Sequence, residues 1–359
     1  MTSATATKKE NMTSATATKK ENLLTGVFGL WLIIGLFVDG YAHQNLAELE
    51  TFFTPWHGIF YSGFMATALW IAWMIRRRRI SGSSLSQSIP PGYRLAALGL
   101  GIFAIGGIGD GFWHTLLGIE TGVDALISPT HIILFIGGLL ILSAPMRSAE
   151  LAHPGRQLPK GDFLPVGLSM LLTALIINFF FMYAYAPASD IPRILFNSHD
   201  GTGSFEAEYG IMQILITAVI VTGSVLYLAA RWDTPFWTFT AILGFLGITM
   251  SGMLDGFENY GAMLTLLSAG LAADLFIRLF RPHPGSAKTW LALGAVIPLV
   301  MWSTHFATFA IFGTIGWTPE LWAGAIVLGV LVGLGLAHVM GRAASLPTPS
   351  KANSEAMTY

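Results

Sequence analysis

The sequence predicts an all-α, polytopic integral membrane protein of about ten transmembrane helices, arranged as repeated helical hairpins with both termini in the cytoplasm. Three observations predict this fold. Hydrophobic residues make up 53% of the 359 residues and charged residues only 11%, whereas a soluble domain carries about a quarter charged residues. Apolar stretches of bilayer-spanning length recur along the chain. The basic residues gather on alternate connections between those stretches.

Each predicted helix is an apolar segment of about 20 residues, the length needed to cross the hydrocarbon core of a bilayer. The tightest predicted turn joins the seventh and eighth segments near Gly256. The ten segments are residues 23–43, 54–75, 93–117, 125–146, 162–186, 207–230, 235–256, 259–280, 288–313 and 319–341.

The orientation follows from the positive-inside rule, by which cytoplasmic loops carry an excess of Lys and Arg. With the N-terminus in the cytoplasm, every one of the 19 Lys and Arg residues except Arg193 falls on the cytoplasmic side. The sequence therefore predicts a multi-pass protein of the cell (inner, cytoplasmic) membrane, with the lipid bilayer as its surroundings. The net charge of −1 offers no basic surface for nucleic acid.

The N-terminus repeats the segment MTSATATKKEN at 1–11 and 12–22. It is polar, so we expect residues 1–22 to be disordered, and no small-residue cleavage site follows it. The first apolar stretch is therefore predicted to remain as a span. The predicted organisation is a cytoplasmic N-terminus (1–22), four helices (23–146), a cytoplasmic linker (147–161), six helices (162–341) and a cytoplasmic tail (342–359).

Two polar motifs interrupt the first four helices at their predicted outer ends. The first is DGYAHQNLAELETFFTPWHGIF from Asp39, and the second is DGFWHTLLGIETGVDALISPTHIILF from Asp110. Each places a His four residues after the Asp, and residues at i and i+4 share one helix face. Each then begins the next helix with a Pro, a favoured first-turn residue, and places a second His two residues later. Each hairpin can thus bring one carboxylate and two imidazoles together.

These side chains are costly to bury near lipid unless they are paired or bound to metal. We therefore predict two metal sites on the outer side, close in space or sharing a dinuclear centre. A proton or ion path and a purely structural polar network remain alternatives. The predicted ligands are Asp39, His43 and His57 for one site, and Asp110, His114 and His131 for the other.

Two imidazoles with one carboxylate suit Cu(II), Zn²⁺ or non-haem Fe(II) and leave coordination positions open. Copper is favoured by its affinity for nitrogen and oxygen ligands, while zinc and iron are not excluded. The chain has no Cys, so thiolate sites and disulfides are excluded.

Four further residues are candidates for supporting the ligands. Glu120 and Asp124 are acids in the second motif's loop that would attract cations. Asp255 is either a supporting partner or part of a helix end, and His305 either adds a ligand or hydrogen-bonds at the membrane interface. Weaker echoes of the motif follow at EYGIM, DGFEN, NYGAM and STHF, which predicts up to five related hairpins.

At DGFWH…SPTHIILF the sequence resembles the C subunit of the copper membrane monooxygenases, the particulate methane and ammonia monooxygenases. That subunit has Asp-Gly-x-Trp-His and, after an acidic loop, Thr-Pro-x-His-Ile-Ile, whose Asp and two His bind copper; they match Asp110, His114 and His131. DGYAH…TPWHGIF is similar to the family's second hairpin.

The resemblance covers residues 36–66 and 105–140. The chain departs from the family in having Asp39 where the family has Asn, a longer loop before His131, more helices and, by this match, the reverse hairpin order.

The resemblance implies a copper-dependent monooxygenase component that oxidises a small apolar substrate with the help of other subunits and an electron donor. A second hypothesis is a copper handling or delivery protein at the outer face, working with a cupredoxin or a copper chaperone. A third is a proton or ion path, or a structural membrane protein, without metal. An enzymatic role is thus one of several open interpretations.

Overall fold

The computed structural model describes residues 16–45, 52–79, 84–118, 120, 122–159, 161–254, 256–258 and 260–345. The regular structure of these residues is helical, without a strand. Within the described part of the chain, nine helical stretches are long and apolar enough to cross a membrane, and Thr238–Leu254 is a shorter apolar helix. This confirms the predicted all-α, multi-pass membrane fold.

The helices follow the predicted segments in order. Short turns also occur at Leu85–Ser88 and Asp124–Ile127. The helices are α1 (Lys19–Asn45), α2 (Pro55–Arg78), α3 (Arg94–Leu117), α4 (Pro129–Leu142), α5 (Ala144–Ala152), α6 (Phe163–Phe180), α7 (Ser204–Arg231), α8 (Thr238–Leu254), α9 (Tyr260–Phe280), α10 (Ala287–Phe312) and α11 (Pro319–Ser345).

Three predicted boundaries were wrong. Helix α1 begins at Lys19 because Glu21 is only 3% exposed and pairs with Arg77 and Arg78, so residues 19–22 are ordered helix. The predicted linker 147–161 is helical as far as Ala152. Helix α11 runs four residues into the predicted tail. The predictions for residues 1–15 and 346–359 lie outside the described residues.

The predicted fourth and fifth helices also differ in detail. The fourth begins at Pro129, and Ser143 separates α4 from α5. The fifth was expected to reach residue 186 but ends at Phe180, where 3-10 turns begin at Met182–Ala184. Met182 thereby lies close to the end of α1, where its sulfur accepts a hydrogen bond from Gln44.

The chain divides into two compact units. The first contains Met1–Ala188 and Phe245–Met263, and the second contains Ser189–Gly244 and Leu264–Tyr359. The predicted division at residue 162 lies within the first of these units, where α6 packs with α1 and α4. All six predicted metal ligands belong to that first unit.

Two helix pairs form the framework of the first unit. We name α1 with α2 the first hairpin and α3 with α4 the second hairpin. In the first, a side chain at Gly35 would lie 2.6 Å from Cα of Phe60, and one at Gly63 would lie 2.6 Å from Cα of Leu32. The helices therefore cross at these two glycines, where their backbones approach closely.

The second hairpin crosses at the same two places. Gly106 stands four residues before Asp110, as Gly35 does before Asp39, and a side chain there would lie 3.1 Å from the backbone N of Leu134. Gly137 stands six residues after His131, as Gly63 does after His57, and meets Phe103. The two hairpins thus share ligand spacing and crossing geometry, as an internal repeat predicts.

The last hairpin does not share this crossing. Helices α10 and α11 approach closely at Gly294 and Gly333, which are not at the equivalent distances from His305 and Pro319. The sequence around STHF resembles the motif of the first two hairpins, but α10 and α11 do not cross at the equivalent positions.

Candidate metal centre

The candidate centre lies where four helix ends of the first unit meet. Helices α1 and α3 end there, and α2 and α4 begin there. The predicted first-turn prolines, Pro55 and Pro129, open α2 and α4. Thr54 caps α2 by accepting a hydrogen bond from the backbone N of His57, which fixes the first turn that presents this imidazole.

The first hairpin brings its three predicted ligands together. Oδ2 of Asp39 lies 3.9 Å from Nε2 of His43 and 3.7 Å from Nε2 of His57. All three side chains are largely buried, and a ligand atom from each falls within 4.8 Å of the others. The spacing predicted from i and i+4 on α1, and from the first turn of α2, is thus realised.

The second hairpin groups its residues around one carboxylate oxygen. Oδ1 of Asp110 lies 3.3 Å from Nε2 of His114 and 2.9 Å from Nε2 of His131. Asp110 is 1% exposed and His114 is 5% exposed. These three residues also converge as predicted.

The two triads form one cluster through His57. His57, Asp110 and His114 have ligand atoms within 4.8 Å of one another, so His57 belongs to both groups of candidate ligands. Its ring centroid lies 5.4 Å from that of His43 and 5.8 Å from that of His114. The two groups of candidate ligands therefore lie close in space. His131 lies outside these two compact groups but contacts Asp110.

Three imidazoles are anchored by Nδ1 and present Nε2 to the cluster. Nδ1 of His114 lies 3.3 Å from the carbonyl oxygen of Gly118, and Nδ1 of His131 donates to the carbonyl of Ala125. Nδ1 of His57 shares a hydrogen bond with the hydroxyl of Thr54 at 3.0 Å. Metal-binding His residues are commonly oriented in this way by a second hydrogen bond.

This anchoring leaves a need for positive charge inside the cluster. With Nδ1 of His131 donating to a carbonyl, a neutral ring turns the lone pair of Nε2 toward the carboxylate of Asp110. Nε2 of His131 and Oδ1 of Asp110 would then be two hydrogen-bond acceptors 2.9 Å apart. Such a contact is stable only if the ring carries a second proton or a cation lies between the two groups. Oδ1 of Asp39 and Nδ1 of His43 are buried, and no described residue forms a hydrogen bond with either atom. A bound cation would compensate such groups.

Sequence reasoning missed several residues that support the cluster. Tyr61 donates a hydrogen bond of 2.7 Å to Oδ2 of Asp110, and Thr130 donates one of 3.4 Å to Oδ1. Phe52 stacks on His57 at 4.9 Å and lies 6.1 Å from His114. The position of Tyr61, one helical turn after His57, was the available signal for it.

Among the candidate supporting residues, only Glu120 is placed at the cluster. Its Oε2 lies 3.8 Å from Nδ1 of His131, and its Oε1 accepts a hydrogen bond from Trp113. Asp124 is exposed at the start of a short turn and forms no ion pair with a described residue. Asp255 lies outside the described residues.

His305 belongs to the second unit. It is 1% exposed and packs against Trp302, Phe306 and Phe309. The hydrogen bond expected for it is absent, since neither ring nitrogen has a partner in the described part of the chain.

An apolar cavity opens directly from the cluster. Its volume is about 90 Å³, and Asp39, His43, His57, Asp110 and His131 contribute to its wall. The rest of the wall is mostly aliphatic and aromatic. Examples are Leu36, Phe103, Leu134, Ile176 and Phe179.

Comparisons with protein-family models, with curated proteins and with solved structures found no match to this chain. The functional interpretation therefore rests on the site itself. Its geometry defines a buried His and carboxylate cluster at the ends of membrane-spanning helices, beside an apolar cavity.

Proposed function

We propose that this chain is a copper-binding integral membrane protein and a component of a membrane monooxygenase that oxidises a small apolar substrate. The observation that carries the proposal is the convergence of Asp39, His43, His57, Asp110 and His114 into buried groups whose ligand atoms lie within 4.8 Å of one another. His131 adjoins them through Asp110. Six such side chains at one membrane depth are costly unless a cation compensates them.

Copper is our choice of metal because of the donor set. Imidazole nitrogen with carboxylate oxygen suits divalent first-row ions, among which Cu²⁺ binds most strongly at a given site. Zinc and iron accept the same donors and are the competing occupants. A copper ion held by these residues would supply redox chemistry toward O2, while the chain itself orients the ligands and excludes water.

The cavity supports the choice of substrate. Its wall is mostly apolar apart from the cluster, so it favours a small hydrophobic molecule over a charged one. The phenyl and alkyl side chains of Phe103, Leu134 and Phe179 keep the approach to the ligands dry. Electrons for such a reaction must come from another subunit or donor, so the proposal includes partner proteins.

The arrangement of charges supports an outward-facing centre. Arg77 and Arg78 lie at the end of α2 opposite to His57, and Arg94 lies at the end of α3 opposite to His114. By the positive-inside rule these basic ends face the cytoplasm. The cluster then faces the outside of the cell membrane, and both termini lie inside.

The first test is metal content after purification in nanodiscs, compared between the wild-type chain and the His57→Ala variant. We expect about one or two copper atoms per chain in the wild type and a clear loss in the variant. His199→Ala is the matched control because His199 is exposed in a loop. A wild-type chain that stays metal-free after loading with copper, zinc or iron would leave a polar network or a proton path as the function.

A second candidate function, copper handling at the outer face, is favoured by Glu120. Its carboxylate lies beside His131 and can hand a cation to the cluster. The two functions separate in an oxygen-consumption assay on the copper-loaded, reduced protein reconstituted with its partner subunits. Substrate oxidation supports the oxygenase, whereas transfer of copper to a soluble acceptor without oxidation supports handling.

A further inference from the structure

The two hairpins differ at one position beside their matching ligands. Tyr61 stands four residues after His57, and Phe135 stands four residues after His131. Position i+4 on a helix lies on the same face as the His, so each aromatic ring is placed one turn below an imidazole. Only the first hairpin carries a hydroxyl there.

The Tyr61 hydroxyl reaches across to the other hairpin. It donates a hydrogen bond of 2.7 Å to Oδ2 of Asp110 on α3. Oδ1 of the same carboxylate faces Nε2 of His114 and of His131. The phenol therefore fixes which oxygen of Asp110 is turned toward the imidazoles.

A glycine makes room for this contact. Gly107 lies three residues before Asp110 on α3, and an added Cβ there would stand 2.8 Å from Cε1 of Tyr61. At the equivalent position before Asp39, the first hairpin carries Leu36. Tyr61 of the first hairpin is therefore paired with Gly107 of the second. The equivalent pair in the repeat is Phe135 of the second hairpin with Leu36 of the first.

The two carboxylates differ accordingly. Asp110 accepts hydrogen bonds from Tyr61 and Thr130. Oδ1 of Asp39 is buried and has no hydrogen-bond partner among the residues that the structure describes, and Phe135, which lines the same cavity, offers no donor. The second hairpin's carboxylate is thus held in place before any ion arrives, whereas that of the first is not.

We propose that Tyr61 is a positioning residue that fixes Asp110 for metal binding and makes the site that contains Asp110 and His114 the tighter of two unequal copper sites. This inference rests on the proposed function, because it assumes that the cluster binds copper. Tyr61 acts through Asp110 rather than as a ligand. Hydrogen-bond partners of metal ligands typically change affinity by about 10–100-fold when removed.

The test compares Tyr61→Phe with Tyr93→Phe. Tyr93 is the matched control because it is also buried and its hydroxyl also makes hydrogen bonds in the first unit, of 2.9 Å to Asn22 and Thr25. Both variants lose a buried phenol's hydrogen bonds and both should unfold more easily. Copper titration and the Cu(II) electron paramagnetic resonance spectrum then separate a positioning role from a structural one.

We expect Tyr61→Phe to lower the affinity of the tighter copper site by about 10-fold or more and to alter its Cu(II) spectrum. Tyr93→Phe should leave both readouts unchanged. Gly107→Ala, which keeps the phenol but displaces its ring, should reproduce the effect of Tyr61→Phe in weaker form.

Three outcomes would overturn the inference, and they are distinguishable. A wild type that binds no copper would remove the proposed function together with this inference. Normal copper binding with an unchanged spectrum in Tyr61→Phe would remove only the role of Tyr61. Equal loss of affinity in Tyr61→Phe and Tyr93→Phe would assign Tyr61 a structural role.

Discussion

The first and second hairpins have the same backbone framework and different hydrogen bonding around their carboxylates. Both cross at a glycine four residues before the Asp and at another six residues after the second His. Yet Asp110 accepts hydrogen bonds from two hydroxyl groups, while one oxygen of Asp39 has no hydrogen-bond partner in the described part of the chain. A repeated framework therefore does not imply two equivalent sites.

The imidazoles show the same contrast. Nδ1 of His114 and of His131 is held by a backbone carbonyl, whereas Nδ1 of His43 has no hydrogen-bond partner among the described residues. The first hairpin relies on Thr54, which caps α2 and bonds to His57. Each hairpin also has buried polar atoms that no described residue pairs with and that an ion would stabilise: Oδ1 of Asp39 and Nδ1 of His43 in the first, and Nε2 of His114 in the second.

The largest expected effect comes from the residue that the two sets share. His57→Ala removes a candidate ligand from both groups, so copper binding should fall at both sites and by more than the ~100-fold that loss of a supporting hydrogen bond can cost. His43→Ala should weaken only one site. Stoichiometry and affinity from copper titration decide this, and a full loss at one site with the other untouched in His57→Ala would show that the ion sites are separate.

The next effect separates the two carboxylates in the metal-free protein. Asp110→Ala leaves Tyr61 and Thr130 without an acceptor in a buried site, and breaking a buried charged pair costs about 3–5 kcal/mol. Asp39→Ala removes a carboxylate that already lacks a partner at one oxygen, so its cost should be smaller. Thermal unfolding in chelator-treated nanodiscs measures both, and equal destabilisation would contradict the asymmetry.

A smaller effect concerns the helix crossings. Gly35→Ala would place Cβ 2.6 Å from backbone atoms of Phe60, whereas the nearest contacts of Gly106→Ala are at 3.0 and 3.1 Å. Overpacking of this kind costs roughly 1–3 kcal/mol, and Gly35→Ala should lie at the upper end. Gly101→Ala is the control because an added Cβ there meets nothing within 4 Å. Thermal unfolding of the three variants measures how much each substitution destabilises the protein and so ranks them.

The smallest effect is expected at Glu120. Glu120→Gln removes a charge 3.8 Å from His131, so it should slow copper loading while changing the final affinity by less than about 10-fold, as expected for a group that steers rather than binds. Stopped-flow loading at low and high salt tests this. A loss of affinity as large as that of His114→Ala would make Glu120 a ligand instead.

Much of the site was predictable because the positions of its Asp and His residues on each helix depend on neighbours in the sequence. The i to i+4 spacing on α1 and α3, and the prolines that open α2 and α4, follow from helix geometry alone. The supporting hydrogen bonds were not predictable, because Tyr61 and Asp110 are 49 residues apart and only the packing of one hairpin on the other joins them. The aromatic surroundings of His305 were not predictable for the same reason, since they come from packing.

The sequence by itself determined the membrane class, the order of the helices and the identity of six clustered residues, since hydrophobic length and helical period depend only on neighbours along the chain. The tertiary structure decided that His57 belongs to both sets, that α1 begins four residues earlier to pair Glu21 with Arg77 and Arg78, and that Asp39 and Asp110 differ. These features depend on side chains from different helices meeting, and a close approach of that kind is set by packing in three dimensions.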